Sequence, residues 1–342
     1  MTKGTVFITR RRLIGAALLA TAVAGLGAIP VLAESGPKAG RVYRVGYSQI
    51  VEHPALDETR RGLLAGLEAA GFVQAKNLVF DYQNANGDVG NARTIAEKFM
   101  IDKVDLMAPC TTPNTLATLK VTKGTKMPVV FGCVTNPVES GILASVDKPS
   151  GTNVTGIYGL PPIKESFDLF LEVKPGLKRL GTLYNASETN SLNINKAAKA
   201  EAAKRGIAWV EVAVTSSAEV KTAAESLVGK VDALVTGQDN TVASAYEAVV
   251  KVARDAHLPL FAMDVSAVGR GAIVALAQNQ YQAGLDWARE LAVPVLLGKD
   301  PRTLKPVPTT RYDLQVNLDA AKAGGVTVPP AIVAKAAKKY GG

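Results

Sequence analysis

The chain has 342 residues, with 39 Lys and Arg against 30 Asp and Glu, which gives a net charge of +9. The charges are scattered and no basic run is interleaved with aromatic residues, so a nucleic-acid-binding surface is not expected. Zinc sites need several Cys or His at short spacings. This chain has two histidines, His53 and His257, and two cysteines, Cys110 and Cys133. We therefore expect neither a metal site nor a cofactor.

The first 33 residues have the three parts of an export signal. Arg10-Arg11-Arg12 precedes an apolar stretch at 13–29, and Val31-Leu32-Ala33 has the small-residue character of a cleavage site. The arginines also fit a twin-arginine signal. Gly and Pro interrupt the apolar stretch, which argues against a transmembrane anchor. We predict cleavage near Ala33 and a location in the periplasm, leaving 309 residues with a net charge of +5, enough for two domains.

Beyond residue 42, short apolar runs alternate with longer runs of helical periodicity. A first series predicts strands at 42–47, 78–82, 104–108 and 128–131, and helices at 54–71, 91–101 and 113–121. A second series predicts strands at 179–184, 208–212, 231–235 and 258–262, and helices at 190–205, 218–228 and 242–256. Such alternation is typical of parallel sheets with right-handed crossovers.

The two series repeat one another in residues as well as in order. Lys103-Val104-Asp105 corresponds to Lys230-Val231-Asp232, and the strand beginning at Pro128 corresponds to the one beginning at Pro259. The period of about 130 residues is a whole domain, which excludes a solenoid of short repeats. The sequence therefore predicts an α/β fold of two doubly wound open-sheet lobes joined by a hinge.

Three segments are interpreted as crossings between the lobes. They are Leu160-Pro161-Pro162, a segment near 276–279 that precedes a helix at 283–297, and the Pro-rich stretch 301–308 that leads to a strand at 313–316. The predicted N-terminal lobe comprises 41–159 and 277–305. The predicted C-terminal lobe comprises 160–276 and 306–342.

Ligands of doubly wound sheets bind at the carboxyl ends of the strands. The residues that follow the predicted strands offer hydroxyls, amides and two carboxylates, which suit a polar small molecule. These predicted ligand-binding residues are Ser48, Gln49, Thr111, Thr112, Thr135, Asn136, Asn185, Asp239, Asn240 and Asp264.

We expect the two lobes to bind groups of opposite charge on the ligand, one lobe through hydrogen-bond donors and the other through carboxylates. Thr111 and Thr112 precede a predicted helix, whose N-terminal N–H groups attract a carboxylate. Thr135 would add a hydroxyl donor from the same lobe. From the other lobe, Asp239 and Asp264 would accept from an ammonium group. We predict that a zwitterion such as an amino acid is held between the closed lobes.

Other roles stay open for several of these residues. Asp239 and Thr112 could instead cap their helices, and His53 is interpreted as a helix-start residue rather than a base. No catalytic signature surrounds Cys133. Because Cys110 and Cys133 follow neighbouring predicted strands, a disulfide between them is sterically possible.

Short segments spread over nearly the whole chain carry a resemblance to a known family. They are SQIVEHPALD at 48–57, DYQNA at 81–85, TP at 112–113, VTNPV at 134–138, GTNVTG at 151–156, DNTV at 239–242 and VNL at 316–318. The chain thereby resembles the substrate-binding proteins of ABC transporters for aromatic amino acids such as tryptophan, which have the periplasmic binding protein type I fold. Four positions depart from the family pattern, namely Gln238 in place of Thr, Asn136 in place of Asp, and Cys110 and Cys133 in place of residues that are usually small and aliphatic or polar.

The resemblance implies a protein that captures an amino-acid-like solute and docks on the membrane permease of an ABC importer. We expect it to be a monomer. One alternative is a sensory receptor of the same fold, which hands its ligand-bound state to a signalling partner. A further alternative is a cleft enzyme, for instance a hydrolase that uses Cys133 and His53.

Overall fold

Alternating strands and helices build a first lobe around a six-stranded sheet. The structure, a computed structural model, describes residues 36–342, so the predicted export signal and its cleavage site lie outside the described residues. The first lobe begins with β1 (Tyr43–Gln49), α1 (Pro54–Ala69), β2 (Leu78–Asn84), α2 (Val89–Ile101), β3 (Leu106–Cys110), α3 (Thr112–Thr122), β4 (Val129–Val134) and β5 (Val154–Tyr158).

A second lobe is built in the same way around a seven-stranded sheet. Its elements are α4 (Ile163–Val173), β6 (Arg179–Asn185), α5 (Thr189–Lys204), β7 (Ala208–Val214), α6 (Val220–Leu227), β8 (Ala233–Thr236), α7 (Asn240–Ser244), α8 (Tyr246–Asp255), β9 (Leu260–Ala262) and β10 (Val274–Gln278). Within residues 36–342, no helix combines the length and the hydropathy needed to cross a bilayer.

The last segment returns to each lobe in turn. It comprises α9 (Gln280–Trp287), a π-helical turn at Ala288–Ala292, α10 (Val293–Leu296), β11 (Val307–Pro308), β12 (Tyr312–Asn317), α11 (Leu318–Ala323), α12 (Pro330–Lys335) and β13 (Lys338–Tyr340). The helices α9 and α10 pack on the first lobe, where Trp287 and Leu291 join its hydrophobic core. Strand β12 runs antiparallel to β10, whereas the other strand pairs are parallel.

The strand orders confirm the predicted fold class of two doubly wound sheets. The first sheet has the order β11-β5-β4-β3-β1-β2, and the second has the order β13-β12-β10-β9-β8-β6-β7. The first five strands of each lobe therefore follow one plan. The aspartates of the repeated Lys-Val-Asp segments also make equivalent hydrogen bonds in the two lobes. Asp105 accepts from the backbone N–H of Arg44 at 2.7 Å, and Asp232 accepts from that of Arg179 at 2.8 Å.

The elements of both predicted series are present, with shifted ends. Strand β1 extends to Gln49, and the helix predicted at 242–256 is divided at Ala245. Strand β5, helix α4 and strand β10 had no counterpart in the prediction. The predicted lobe bounds need correction at two points, because Ala277 and Gln278 pair with β12 of the second sheet and Val307 and Pro308 pair with β5 of the first. Apart from these residues, the division into lobes stays a prediction.

Close packing of α1 against α9 fixes the return of the chain to the first lobe. Gly62 lies against the backbone of Tyr281, and a Cβ atom there would overlap the Tyr281 carbonyl oxygen. A Cβ atom at Gly284 would likewise overlap the carbonyl oxygen of Thr59. Two glycines on facing helices thus let the backbones touch, which side chains of any size would prevent.

We expect Gly62→Ala to lower the free energy of unfolding by about 2 kcal/mol, because the added methyl group forces α1 away from α9. Helix propensity alone predicts the opposite sign, a gain of about 1 kcal/mol from Gly to Ala. Urea denaturation followed by circular dichroism measures the difference. An unchanged or raised stability would show that the helices are not held at this distance.

Candidate functional site

A cavity lies between the lobes, where the carboxyl ends of the two sheets face each other. Its empty space measures about 750 Å³, including the part open to solvent, a size typical of small-molecule sites. We call it the interlobe cavity. Six of the predicted residues line it, namely Thr111, Thr112 and Thr135 from the first lobe and Asp239, Asn240 and Asp264 from the second.

Two predicted residues lie inside β1 instead of after it, and their side chains bond to the protein there, although the buried Oε1 atom of Gln49 has no partner within the described chain. The Oγ atom of Ser48 accepts a hydrogen bond from Asn114 Nδ2 at 2.9 Å. Gln49 Nε2 donates to the carbonyl oxygen of Val51 at 2.8 Å and to Asp57 Oδ1 at 3.1 Å. Neither lines the interlobe cavity. Strand β1 continues two residues beyond its last predicted position, so both residues precede the end of the strand, and their role in ligand binding stays a prediction.

Asn136 and Asn185 also lie away from the cavity wall. Asn136 Oδ1 accepts from the backbone N–H groups of Val138 and Glu139, both at 3.2 Å, and so closes the turn that follows β4. The backbone N–H of Asn185 donates to Asp239 Oδ2 at 2.6 Å. Asn185 thus orients a cavity residue, while Asn136 stabilises a loop.

The first lobe presents three buried threonine hydroxyls without a partner. Thr111, Thr112 and Thr135 are at most 5% exposed, and within the described chain none of their Oγ1 atoms makes a hydrogen bond. A buried hydroxyl that loses water and finds no partner costs about 1–3 kcal/mol. All three line the interlobe cavity, so a polar ligand there would supply the missing partners.

The backbone of Thr111 is strained. Its φ of 91° and ψ of 156° place a β-branched residue in a region that is essentially restricted to glycine. Thr111 is the N-cap residue of α3, yet its side chain makes no capping hydrogen bond. The alternative that Thr112 caps this helix was therefore wrong, since Thr112 is its first residue. Strain and an unused hydroxyl at one residue point to selection for a ligand rather than for stability.

On the second lobe, Asp239 is both a helix cap and a cavity residue. Its Oδ1 atom accepts from the backbone N–H of Val242 at 2.8 Å, which caps α7, and its Oδ2 atom accepts from Ser191 Oγ at 2.5 Å. Burial, followed by the charge of Glu188, raises the pKa of Asp239 to about 6. Capping and exposure to the cavity thus coexist at one carboxylate, so the two roles weighed from the sequence do not exclude each other.

Glu188 holds the start of α7, which carries Asn240 in the cavity wall. Its carboxylate accepts from the backbone N–H groups of Asn240 at 3.1 Å and Thr241 at 3.0 Å, at the start of α7. Asn240 Nδ2 donates to the same carboxylate at 2.5 Å. Asn240 therefore lines the cavity with an amide that already donates to Glu188. The carboxylates of Glu188 and Asp239 lie close together, and no Lys or Arg is among the cavity-lining residues.

His53 and Asp264 form an ionisable pair that joins the lobes. His53 is the N-cap of α1, as expected for a helix-start residue, and its Nδ1 atom accepts from the backbone N–H of Ala55 at 3.3 Å. Its Nε2 atom lies 3.6 Å from Asp264 Oδ2. Burial lowers the pKa of His53, and the neighbouring Asp264 opposes this shift. Asp264 Oδ1 also accepts from the N–H of Ser266 at 2.9 Å.

Further polar residues line the cavity although the predicted ligand-binding set did not include them. They are His53, Thr59, Tyr158, Asn190, Gln238, Gln278, Gln280 and Thr309. Gln238, noted from the sequence as a departure from the family pattern, follows β8 by two residues, so the strand-end rule also indicates it. Gln278 and Gln280 lie where the chain crosses between lobes. Gln278 Nε2 donates to the carbonyl oxygen of Gly159 at 2.9 Å and so joins two crossing segments, which no local pattern indicates.

The two cysteines lie against each other. Cys133 lines the cavity, and its Sγ atom is 2.7 Å from Sγ of Cys110, both as free thiols. A disulfide between them stays a prediction. His53 Nε2 faces Asp264, so the Cys133–His53 pair of a hydrolase is not assembled by any hydrogen bond of the described chain. Among residues 36–342, no group of three His, Cys, Asp or Glu could hold a metal ion.

Comparison with known proteins places this geometry in a family. The model of the ABC transporter substrate binding protein family matches residues 44–340. A tyrosine-binding protein of Clostridioides difficile strain R20291 is 35% identical over 279 residues, which cover 82% of this chain and 80% of that protein. A conserved domain protein from Vibrio cholerae has a solved structure with a TM-score of 0.84 and 38% identity, covering 87% of this chain and 100% of the other.

Two further solved structures differ in their ligand state. An ABC domain from Streptococcus pneumoniae in complex with L-Trp has a TM-score of 0.82 at 26% identity, covering 87% of this chain and 99% of the other. A ligand-free, open substrate-binding protein from Clostridium difficile has a TM-score of 0.66 at 34% identity, covering 88% of this chain and 100% of the other. The lobes of this chain thus match the ligand-bound structure better, although its sequence is less similar. The chain belongs to the ABC transporter substrate-binding protein family.

Proposed function

We propose that this chain is the exported, periplasmic solute-binding component of an ABC importer, and that it binds an amino acid between its lobes and delivers it to the membrane permease. One observation carries the proposal, namely the opposed chemistry of the two cavity walls. Three unpartnered hydroxyls lie on the first lobe, and the carboxylate of Asp239 lies on the second. Hydroxyl donors suit a carboxylate, and Asp239 suits an ammonium group.

The α-carboxylate of the ligand is assigned to the first lobe. Helix α3 has 11 residues and begins at Thr112, without a side chain capping its first turn. The N–H groups of that turn carry partial positive charge. A carboxylate placed there would accept from those groups and from the hydroxyls of Thr111, Thr112 and Thr135, each of which lines the same cavity.

The α-ammonium group is assigned to Asp239. This carboxylate has three hydrogen-bond donors, the N–H groups of Val242 and Asn185 and the hydroxyl of Ser191. An ionised carboxylate has about four acceptor sites, so one remains for the ligand. Burial, followed by the charge of Glu188, raises the pKa of Asp239, and an ammonium group would compensate the buried negative charge.

The relatives support an aromatic side chain on the ligand. One relative is a tyrosine-binding protein, and a structural neighbour was solved with L-Trp. Apolar residues of the first lobe, Leu56, Ile157 and Ala283, line the same cavity as the polar groups. Binding without chemical conversion is part of the proposal, and mass spectrometry of the ligand recovered from the protein after incubation should return the compound unchanged.

Asp239→Asn should raise the dissociation constant for L-tyrosine or L-tryptophan at least tenfold, because a charged hydrogen bond to the ammonium group is worth about 1.5–3 kcal/mol. Isothermal titration calorimetry measures the loss. Asp88→Asn is the matched control, since Asp88 caps α2 through the N–H of Asn91 at 2.8 Å and does not line the cavity. Equal affinities of wild type and Asp239→Asn would reduce Asp239 to a helix cap.

Thr111→Gly should raise the free energy of unfolding by about 1 kcal/mol and weaken amino-acid binding, because it removes backbone strain together with a ligand donor. Ala75→Gly is the control, since Ala75 has a φ of 61° and lies outside the cavity. This control should gain stability without losing affinity. Thermal unfolding and calorimetry test both variants. A Thr111→Gly protein that binds as tightly as the wild type would remove Thr111 from the site.

Amino-acid affinity should fall as the pH drops below about 6. The pKa of Asp239 is raised to about 6 without ligand, and an ammonium partner favours the ionised form, so below pH 6 binding must first release a proton. Calorimetry at pH 7.5 and pH 5.0 should show the loss in the wild type and a smaller one in Asp239→Asn.

A further inference from the structure

A polar pair interrupts the apolar wall that α1 and α9 contribute to the interlobe cavity. Thr59 of α1 and Gln280 of α9 both line the cavity, and Thr59 Oγ1 lies 3.0 Å from Gln280 Oε1. Their neighbours on this wall include Leu56 and Ala283, with Ile157 of β5 beside them in the lining. His53, the other polar group at the start of α1, is already engaged by Ala55 and Asp264.

The hydrogen bonds of this pair are incomplete. Thr59 is fully buried, and its single hydroxyl hydrogen has two acceptors in reach, the carbonyl oxygen of Ala55 at 3.0 Å and Gln280 Oε1 at 3.0 Å. Gln280 Nε2 donates to no atom of the described chain. Rotation of the carboxamide by half a turn exchanges its donor and acceptor, so in either orientation one polar group of Gln280 is left for a ligand in the cavity.

The pair sits on a rigid scaffold. The glycine contacts that bring α1 and α9 together flank it directly, since Gly284 packs on the carbonyl oxygen of Thr59 and Gly62 packs on the backbone of Tyr281, the residue after Gln280. The two helices cannot separate to let the pair turn away without losing these contacts. A rigid polar group in an apolar wall rejects a ligand that leaves it without a partner.

We infer that Thr59 and Gln280 determine specificity by binding a hydrogen-bonding group on the ligand's side chain, such as a phenol hydroxyl or an indole N–H. This inference rests on the proposed function. The clamp of threonine hydroxyls and Asp239 binds the groups that all amino acids share, and the remaining wall distinguishes their side chains. The phenol hydroxyl of tyrosine and the indole N–H of tryptophan hydrogen-bond to the pair, whereas phenylalanine removes water from the pair without forming a hydrogen bond to it.

Calorimetric titration with L-tyrosine, L-tryptophan and L-phenylalanine tests the inference on the full chain. The wild type should bind tyrosine or tryptophan at least tenfold more tightly than phenylalanine. Gln280→Met keeps the length of the side chain without its amide, and should reduce that ratio about tenfold while leaving phenylalanine affinity within about threefold. Thr59→Val, which removes only the hydroxyl, should reduce the ratio in the same direction.

Gln282→Met is the matched control, since Gln282 lies on the same helix, donates to Asp286 at 3.0 Å and does not line the cavity. It should leave the ratio unchanged. Equal binding of all three amino acids by the wild type, or an unchanged ratio in both Gln280→Met and Thr59→Val, would overturn the inference and leave the proposed function intact. Binding of none of the three would overturn the proposed function and the inference with it.

Discussion

The order of the strands is the constraint on which the site depends. In each sheet the second strand of the series lies on one side of the first and the third lies on the other, as in β2-β1-β3 and β7-β6-β8. At such a point the connecting helices leave toward opposite faces of the sheet, and a crevice opens at the carboxyl ends of the strands. Asp105 and Asp232 hold the third strand of each lobe to the first through backbone N–H groups. Thr111 after β3 and Asp239 after β8 therefore face one gap.

Each wall of the interlobe cavity is unfavourable without a ligand. The first lobe carries a strained Thr111 and three hydroxyls without partners, and the second carries Asp239 buried beside Glu188. Backbone strain and a carboxylate buried beside another cost free energy, and natural chains retain such features where function depends on them. In the proposed binding mode, a zwitterion would satisfy both walls at once, because its carboxylate would meet donors and its ammonium group would meet an acceptor. An uncharged sugar would leave the charge of Asp239 uncompensated.

The sequence predicted the duplicated fold and six of the residues that line the interlobe cavity. The apolar periodicity and the repeated Lys-Val-Asp segments were sufficient to predict the strands and helices, because both depend on local patterns of burial that are visible in a single sequence. Strand ends were less predictable, since Ser48 and Gln49 continue β1 through pairing with β2 and β3 that only the fold creates. Gln280 was missed for a different reason. It reaches the cavity because α9 packs on α1, more than 200 residues earlier in the chain, and no local pattern encodes that contact.

One weak contact between ionisable groups joins the lobes across the cavity. Among the ion pairs of residues 36–342, the one that joins the two lobes across the cavity is that between His53 and Asp264. Because His53 also caps α1, its ring is fixed before the lobes meet, and closure costs little side-chain entropy at this contact. The pair lies 3.6 Å apart and His53 is favoured in its neutral form, so it contributes little binding energy by itself. Because this contact is weak, the free energy of ligand binding, rather than the contact itself, determines how far the closed state is populated.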